Sequence, residues 1–266
     1  MTIEPRQVEP GAILRWTRQA LHLIARGFGF WLALSVLVCL WMFAGQRLPL
    51  LDGVLALSAF FSSILIAARL DRAQRATLSD VLAMLRTHAL SILLFAGIIA
   101  LAGALIWMLL LARPGVPWWS PLYSERNVVQ ALSVNWFIAT RQIFIFSAYA
   151  LGLCYFGLNI PGLTGFFQFP CTTLLGVPFR DAYRLSATAQ VRNLPTTLSI
   201  GLMFVVLPAL FGILLPPLVP LLYCFLGALT YVGFREIFLG ISANQGLNRV
   251  GVVAAAPRQI LSNRPT

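Results

Sequence analysis

Side chains that could carry acid–base, nucleophilic or metal chemistry are few in this sequence, and they lie far apart. Paired acids would give a membrane protein a proton path or a metal site, but no two of the eight carboxylates are spaced to share one. His22 and His88 have no second ligand at helical spacing. The four cysteines form no C-x-x-C pair, and the serines lack a G-x-S-x-G turn with a histidine base. We therefore expect a protein that is not an enzyme and has no catalytic residue, metal site or cofactor.

One segment, 158–178, has the composition of a helix that is broken inside a membrane. Its prolines and glycines would free backbone groups, and polar side chains between them would line a cavity for a solute, as in transporters. The cavity candidates are Asn159, Pro161, Gln168 and Pro170. The alternative is a helix that ends at the membrane surface and continues as an apolar connector. We favour the connector, because a transporter built from repeats usually has a matched pair of broken segments.

The elements that position these residues are expected to be membrane-spanning helices. The chain is 59% hydrophobic and 10% charged, whereas about a quarter of the residues are charged in soluble domains. Six apolar segments are long enough to be spans, at 28–45, 50–68, 89–111, 143–165, 198–215 and 218–238. The sequence therefore predicts an all-α, polytopic helix bundle with six transmembrane helices. Residues 1–240 would form one membrane domain, and residues 241–266 a polar cytoplasmic tail.

The distribution of arginines predicts how the bundle is oriented. All nineteen basic residues are arginines; fifteen lie on the same side of the predicted spans as the termini, and four lie on the other side. The positive-inside rule then places both termini in the cytoplasm, in a multi-pass protein of a bacterial inner (plasma) membrane. This topology also explains the net charge of +11, so anionic lipid headgroups are expected as partners and nucleic acid is not.

Three stretches on the arginine-rich side, 13–25, 79–87 and 179–192, are expected to be short amphipathic helices in the membrane interface. In the first stretch, Trp16 falls near the boundary between an apolar and a polar face. The apolar face comprises Ile13, Leu14, Thr17, Ala20, Leu21 and Ile24, and the polar face Arg15, Arg18, Gln19, His22 and Arg26. At the start of the second stretch, Thr77 and Asp80 have the spacing of a capping box, so a helix is expected to begin there. The arginines expected at lipid headgroups are Arg15, Arg18, Arg86, Arg180, Arg184 and Arg192.

The third stretch, VPFRDAYRLSATAQVRNLP, is the longest polar interval in the interior of the chain. On a helical wheel its arginines share one side, and small residues share the other. Ala182 and Ser186 are four residues apart, which is the spacing that lets helices pack closely, and Asn193 follows on the same side. Asp181 and Arg184 are spaced for an ordinary surface ion pair. We therefore interpret this helix as a docking element with a structural role, and Ala182, Ser186 and Asn193 as its packing residues.

A repeated plan of surface helix, span, hairpin and span suggests a weak threefold internal repeat. With this plan the chain resembles bacterial six-span membrane families that are similar to the membrane domain attached to some glycerophosphoryl diester phosphodiesterases. The resemblance rests on AARLDRAQRATLSDVLAMLR, FPCTTLLGVPFRDAYRLSATAQVRN and YVGFREIF. It implies a short helix that carries A-x-x-x-S and ends in R-N or K-N, positions held here by Ala182, Ser186, Arg192 and Asn193. It supplies no catalytic residue.

The sequence thus favours a non-enzymatic integral inner-membrane protein that acts through contacts with lipids or with a protein partner. The alternative is a small-solute or lipid transporter that uses the break in the fourth predicted span.

Overall fold

The computed structural model describes residues 4–9, 11–44, 49–72, 77–111, 165–215 and 218–240. Within these ranges the chain is helical and contains no strand, as the sequence predicts. The helices are α1 (Ala12–Arg26), α2 (Phe28–Ala44), α3 (Pro49–Arg72), α4 (Leu78–Leu111), α5 (Gln168–Leu174), α6 (Phe179–Arg192), α7 (Leu194–Leu214) and α8 (Val219–Phe234). A π-helical turn, Arg235–Leu239, follows α8 directly.

The core is built around α8, which is apolar along its whole length and almost completely buried. It packs against α1, α2, α3 and α7. The contact with α3 is close, because a Cβ atom added at Gly227 would lie 2.6 Å from both the Phe60 carbonyl oxygen and the Ser63 Cβ. Glycine therefore permits two helix backbones to approach here, as small residues do between membrane helices.

Phenylalanine rings join the short helix α5 to the rest of the bundle. The Phe169 ring centroid lies 4.6 Å from that of Phe61 on α3 and 5.3 Å from that of Phe95 on α4. Phe95 in turn lies 5.5 Å from Phe179, the first residue of α6. Through this aromatic cluster, the first residue of α6 is positioned against α4.

Large apolar side chains also cover the outside of the bundle. Leu37 on α2, Leu90 on α4 and Leu202 on α7 are each more than half exposed, and Leu90 is 80% exposed. A soluble surface rarely carries such a wide apolar belt, whereas lipid chains are a favourable environment for it. The belt agrees with a membrane protein.

Two of the described helices are long and apolar enough to cross a membrane, over Leu78–Ala102 and Val219–Leu239. Two bent helix pairs would raise the number to four: Ala12–Arg26 with Phe28–Leu40, at 86°, and Phe179–Arg192 with Leu194–Pro208, at 104°. The structure therefore supports two to four candidate spans, while six spans and the threefold repeat stay predictions. The fourth predicted span, apart from Gly165, and the tail 241–266 lie outside the described residues.

The second of the three predicted surface helices is not a separate element. α4 runs without interruption from Leu78 to Leu111, through Arg86 and His88. Its start is as predicted, because the Thr77 N–H donates to Asp80 and the Asp80 N–H donates to Thr77 Oγ1, each at 3.3 Å. No glycine or proline stands between 79 and 96 to end the helix, whereas α1 stops at Gly27 and Pro195 follows α6 closely.

Candidate functional site

Two ion pairs meet where α8 passes into the π-helical turn. The Arg235 Nη1 donates to Asp71 Oδ1 at the end of α3, at 2.6 Å, and the Tyr231 hydroxyl donates to Asp71 Oδ2 at 2.8 Å. The second terminal nitrogen of Arg235 donates to the Gln19 side-chain oxygen on α1, also at 2.6 Å. Arg235 therefore holds α8, α3 and α1 together at one point.

The neighbouring residue, Glu236, binds α1. Its buried carboxylate accepts a hydrogen bond from the Trp16 indole N–H at 2.8 Å and forms an ion pair with Arg15. Consecutive residues of a helix point about 100° apart, so Arg235 and Glu236 reach different neighbours. The hydrogen bond and negative charge of Glu236 raise the pKa of Arg15 above its ordinary value.

These contacts correct the predicted position of Trp16. The indole is completely buried and lies at the centre of the α1 face that meets the bundle, together with Ala12, Ala20 and Leu23. Only part of the predicted apolar face meets the bundle, because Ala20 is buried, whereas Leu14 is 69% exposed and Leu21 is 54% exposed. α1 thus has three sides: one faces the bundle, one is apolar and exposed, and one carries its arginines and His22.

Residues 4–9 have no regular secondary structure and run from the start of α1 to the end of α6. We call this segment the N-terminal strap. Asn193 binds its backbone twice: the Asn193 Nδ2 donates to the Arg6 carbonyl at 3.0 Å, and the Val8 N–H donates to Asn193 Oδ1 at 2.8 Å. Arg192 donates to the Pro5 carbonyl at 2.9 Å. The Arg6 N–H donates to the Ile237 carbonyl in the π-helical turn, at 2.9 Å.

The three predicted packing residues of α6 all lie on its buried side. Ala182 and Ser186 have no exposed surface, and Asn193 is buried beneath the strap. The Ser186 hydroxyl accepts the Phe167 N–H at 2.8 Å, so the small face of α6 packs against the segment that leads into α5. Asn193 thus binds a distant segment, a role that its position in the sequence does not reveal.

The predicted headgroup arginines fall into two groups. Arg18, Arg86, Arg180 and Arg184 are exposed. Arg15 is half-buried and binds Glu236, and Arg192 is exposed but binds the strap. The expected ion pair between Asp181 and Arg184 is not formed, and neither residue has an ion-pair partner in the described part of the chain.

Of the four cavity candidates, Asn159 and Pro161 lie outside the described residues. Gln168 and Pro170 are buried in α5. The Gln168 Nε2 donates to the Phe179 carbonyl at 3.2 Å, while its Oε1 accepts no hydrogen bond from the described residues. Gln168 thus binds the start of α6 through its amide nitrogen, while its amide oxygen has no donor among the described residues.

Asp71 and Glu236 are not among the residues that the sequence pattern singles out. A signal was present, because each acid stands beside an arginine at the end of an apolar segment, in RLDR and FRE. Their partners are 164 and 220 residues away, so no local pattern names them. Across the residues that the structure covers, no three His, Cys, Asp or Glu side chains are grouped to hold a metal ion.

The helical fold, the apolar belt and the candidate spans define the chain as a membrane protein built from helices. In comparisons with known proteins, no family model, no curated protein and no solved structure matches it.

Replacing Ala182 with leucine is expected to lower the free energy of unfolding by about 1–3 kcal/mol, because the added atoms have no space on the buried face of α6. Thermal unfolding of the purified protein in detergent measures this change. The matched control is Thr188→Leu, on the exposed side of the same helix. Equal losses for the two variants would contradict the assignment of Ala182 to a packed contact.

Proposed function

We propose that this protein is a non-enzymatic, integral inner-membrane protein that presents two cationic helices, α1 and α6, to anionic lipid headgroups. The observation that carries the proposal is the exposed cationic side on each of these short helices, formed by Arg18 and Arg26 on α1 and by Arg180 and Arg184 on α6. A partner protein that binds the same headgroup-rich surface is compatible with this function.

The orientation of α1 supports the proposal. α1 makes an angle of 86° with the helix that follows it, and α6 turns by 104° into α7. If α2 and α7 cross the bilayer, both short helices run almost parallel to its surface. The exposed leucines of α1, Leu14 and Leu21, would then contact lipid chains, and the arginines would contact phosphates.

The pairing of two acids, Asp71 and Glu236, with arginines also favours a non-enzymatic function. Asp71 is neutralised by Arg235, and Glu236 by Arg15. Each carboxylate therefore has an arginine partner within the protein, which is the arrangement of a structural ion pair. These two ion pairs join α1, α3 and α8. A structural role therefore explains both acids, and no substrate is needed to explain them.

The proposed topology has six spans with both termini in the cytoplasm, because of the unequal distribution of arginines. Reporter fusions after Thr266 and within residues 114–121 are expected to give opposite signals. The same signal from both positions would contradict this topology.

We also propose a relation to the six-span families that resemble the phosphodiesterase-linked membrane domain, supported by the buried Ala182 and Ser186 in the A-x-x-x-S positions.

The double variant Arg180→Gln/Arg184→Gln is expected to weaken association with anionic lipid by about 1 kcal/mol per arginine. Together the two changes amount to a roughly thirtyfold loss. Electron paramagnetic resonance of spin-labelled phosphatidylglycerol and phosphatidylcholine around the reconstituted protein measures the preference. Asp181→Asn, on the same exposed side, is the control and should not reduce it. An unchanged preference in the double variant would remove α6 from the proposed function.

The second candidate function is a small-solute or lipid transporter that uses the break near α5. Gln168 favours it, because its buried Oε1 accepts no hydrogen bond from the residues that the structure describes, and such an oxygen is costly unless a donor reaches it. Scrambling of fluorescent lipids in proteoliposomes, compared between the wild-type protein and Gln168→Leu, tests the lipid branch of this alternative. Scrambling that is lost in the folded variant would favour the transporter.

A further inference from the structure

We propose that the N-terminal strap joins α1 and α6 into a single platform for anionic lipid, so that the strap itself sets the protein's preference for anionic membranes. This inference rests on the proposed function, because it takes the two cationic helices as lipid-binding elements. It adds that α1 and α6 act as one surface, and that residues 4–9 and Asn193 hold the two helices in a fixed relative position.

The strap is placed to do this because it contacts both helices and the π-helical turn. Its last residue, Glu9, accepts the Ala12 N–H at the start of α1, at 3.0 Å. Its middle is bound by Arg192 and Asn193 at the end of α6, and by the Ile237 carbonyl after α8. The strap thereby connects the first residue of α1 with the last residue of α6.

The contacts of Asn193 have the geometry of a specific clamp. One side-chain amide donates to the carbonyl of Arg6 and accepts the N–H of Val8, two residues further on. The side chain is 2% exposed, so water does not compete for these bonds. Val8 packs against the hydrophobic core and Pro5 is buried, which anchors the strap on both sides of Arg6.

The strap also reaches the residue that ends the π-helical turn. Gly240 has a φ of 66°, a conformation that side chains rarely adopt. The guanidinium group of Arg6 lies beside it. Arg6 therefore contacts the turn through its side chain as well as through its backbone bond to Ile237.

Two cationic surfaces that are held in fixed register bind a bilayer more tightly than the same surfaces held loosely, because the second contact occurs at high effective concentration. Releasing the strap should therefore lower the lipid preference without removing any exposed arginine of α1 or α6. A strap that only stabilised the fold would not change this preference in the folded protein.

The test uses the full chain in phosphatidylcholine nanodiscs, with all native cysteines replaced and spin labels at Ala25→Cys on α1 and Thr188→Cys on α6, both exposed. Deletion of residues 2–8 and, separately, Asn193→Asp remove strap contacts. Each should broaden the distance distribution between the labels and lower the preference for spin-labelled phosphatidylglycerol over phosphatidylcholine at least fivefold. Asn193→Asp should have little further effect in the deletion background, because its partners are already gone.

The control is Glu4→Gln, which changes a strap residue whose side chain is 76% exposed and lies 3.9 Å from Arg192. It should alter neither the distances nor the lipid preference. A distance distribution that stays narrow after the deletion, or a lipid preference that survives it, would overturn the platform alone. A full-length protein with no preference for phosphatidylglycerol would overturn the proposed function, and the platform with it.

Discussion

Replacing Asp71 with alanine is expected to lower the free energy of unfolding by about 3–5 kcal/mol, because a buried cation then loses its counterion. The Arg235 side chain is 11% exposed and cannot turn to water without leaving its place between α8, α3 and α1. The Tyr231 hydroxyl, on a ring that is almost completely buried, would lose its acceptor at the same time. Chemical denaturation of the protein in mild detergent measures the difference.

The matched control is Asp181→Ala, which removes an exposed acid without an ion-pair partner in the described part of the chain. It should change the free energy of unfolding by no more than about 0.5 kcal/mol. The double variant Asp71→Ala/Arg235→Met removes both charges together and should recover most of the loss, since an apolar pair avoids the cost of burying an unpaired ion. A double variant as unstable as Asp71→Ala would show that the ion pair is not the cause.

Replacing Glu236 with alanine is expected to lower the free energy of unfolding by about 2–4 kcal/mol, because one carboxylate supports two donors of α1. The Trp16 indole N–H is completely buried and would be left without an acceptor. Arg15 is less affected, since its side chain is 36% exposed and lies 3.6 Å from Glu9. Tryptophan fluorescence during unfolding measures the change, and α1 is expected to come away from the bundle first.

Two comparisons isolate the tryptophan contact. Glu9→Ala removes the other acid near Arg15, whose side chain is 85% exposed, and should change the free energy of unfolding by less than about 1 kcal/mol. In a Trp16→Phe background, where no indole N–H needs an acceptor, Glu236→Ala should destabilise the protein less than it does alone. An undiminished loss in that background would mean that Glu236 acts on α1 mainly through Arg15.

These two predictions describe one junction. Arg235 and Glu236 are adjacent, yet one holds the end of α3 and the other holds α1. The N-terminal strap crosses the same turn at Ile237. The position of α1 against α3 and α8 therefore depends on the contacts of consecutive residues at the end of α8.

Local sequence patterns were sufficient for much of the helical structure. The apolar composition predicts an all-helical membrane protein, since backbone groups in lipid must be satisfied within each segment. The capping box at Thr77 and Asp80 marks the start of α4, because both of its bonds join residues three apart. The wheel of α6 separates exposed Arg184 from buried Ala182 and Ser186, because helical periodicity fixes which side chains share a side.

The tertiary structure alone decided which side of α1 faces the protein and what its buried polar groups bind. An amphipathic pattern distinguishes apolar from charged sides, but lipid and protein core are both apolar, so it cannot show that Trp16 points inward while Leu14 points outward. The partners of Asp71, Glu236 and Asn193 lie between 160 and 221 residues away along the chain. Such pairs are set by the packing of α8 against its neighbours, which brings together side chains whose spacing in the sequence carries no periodic signal.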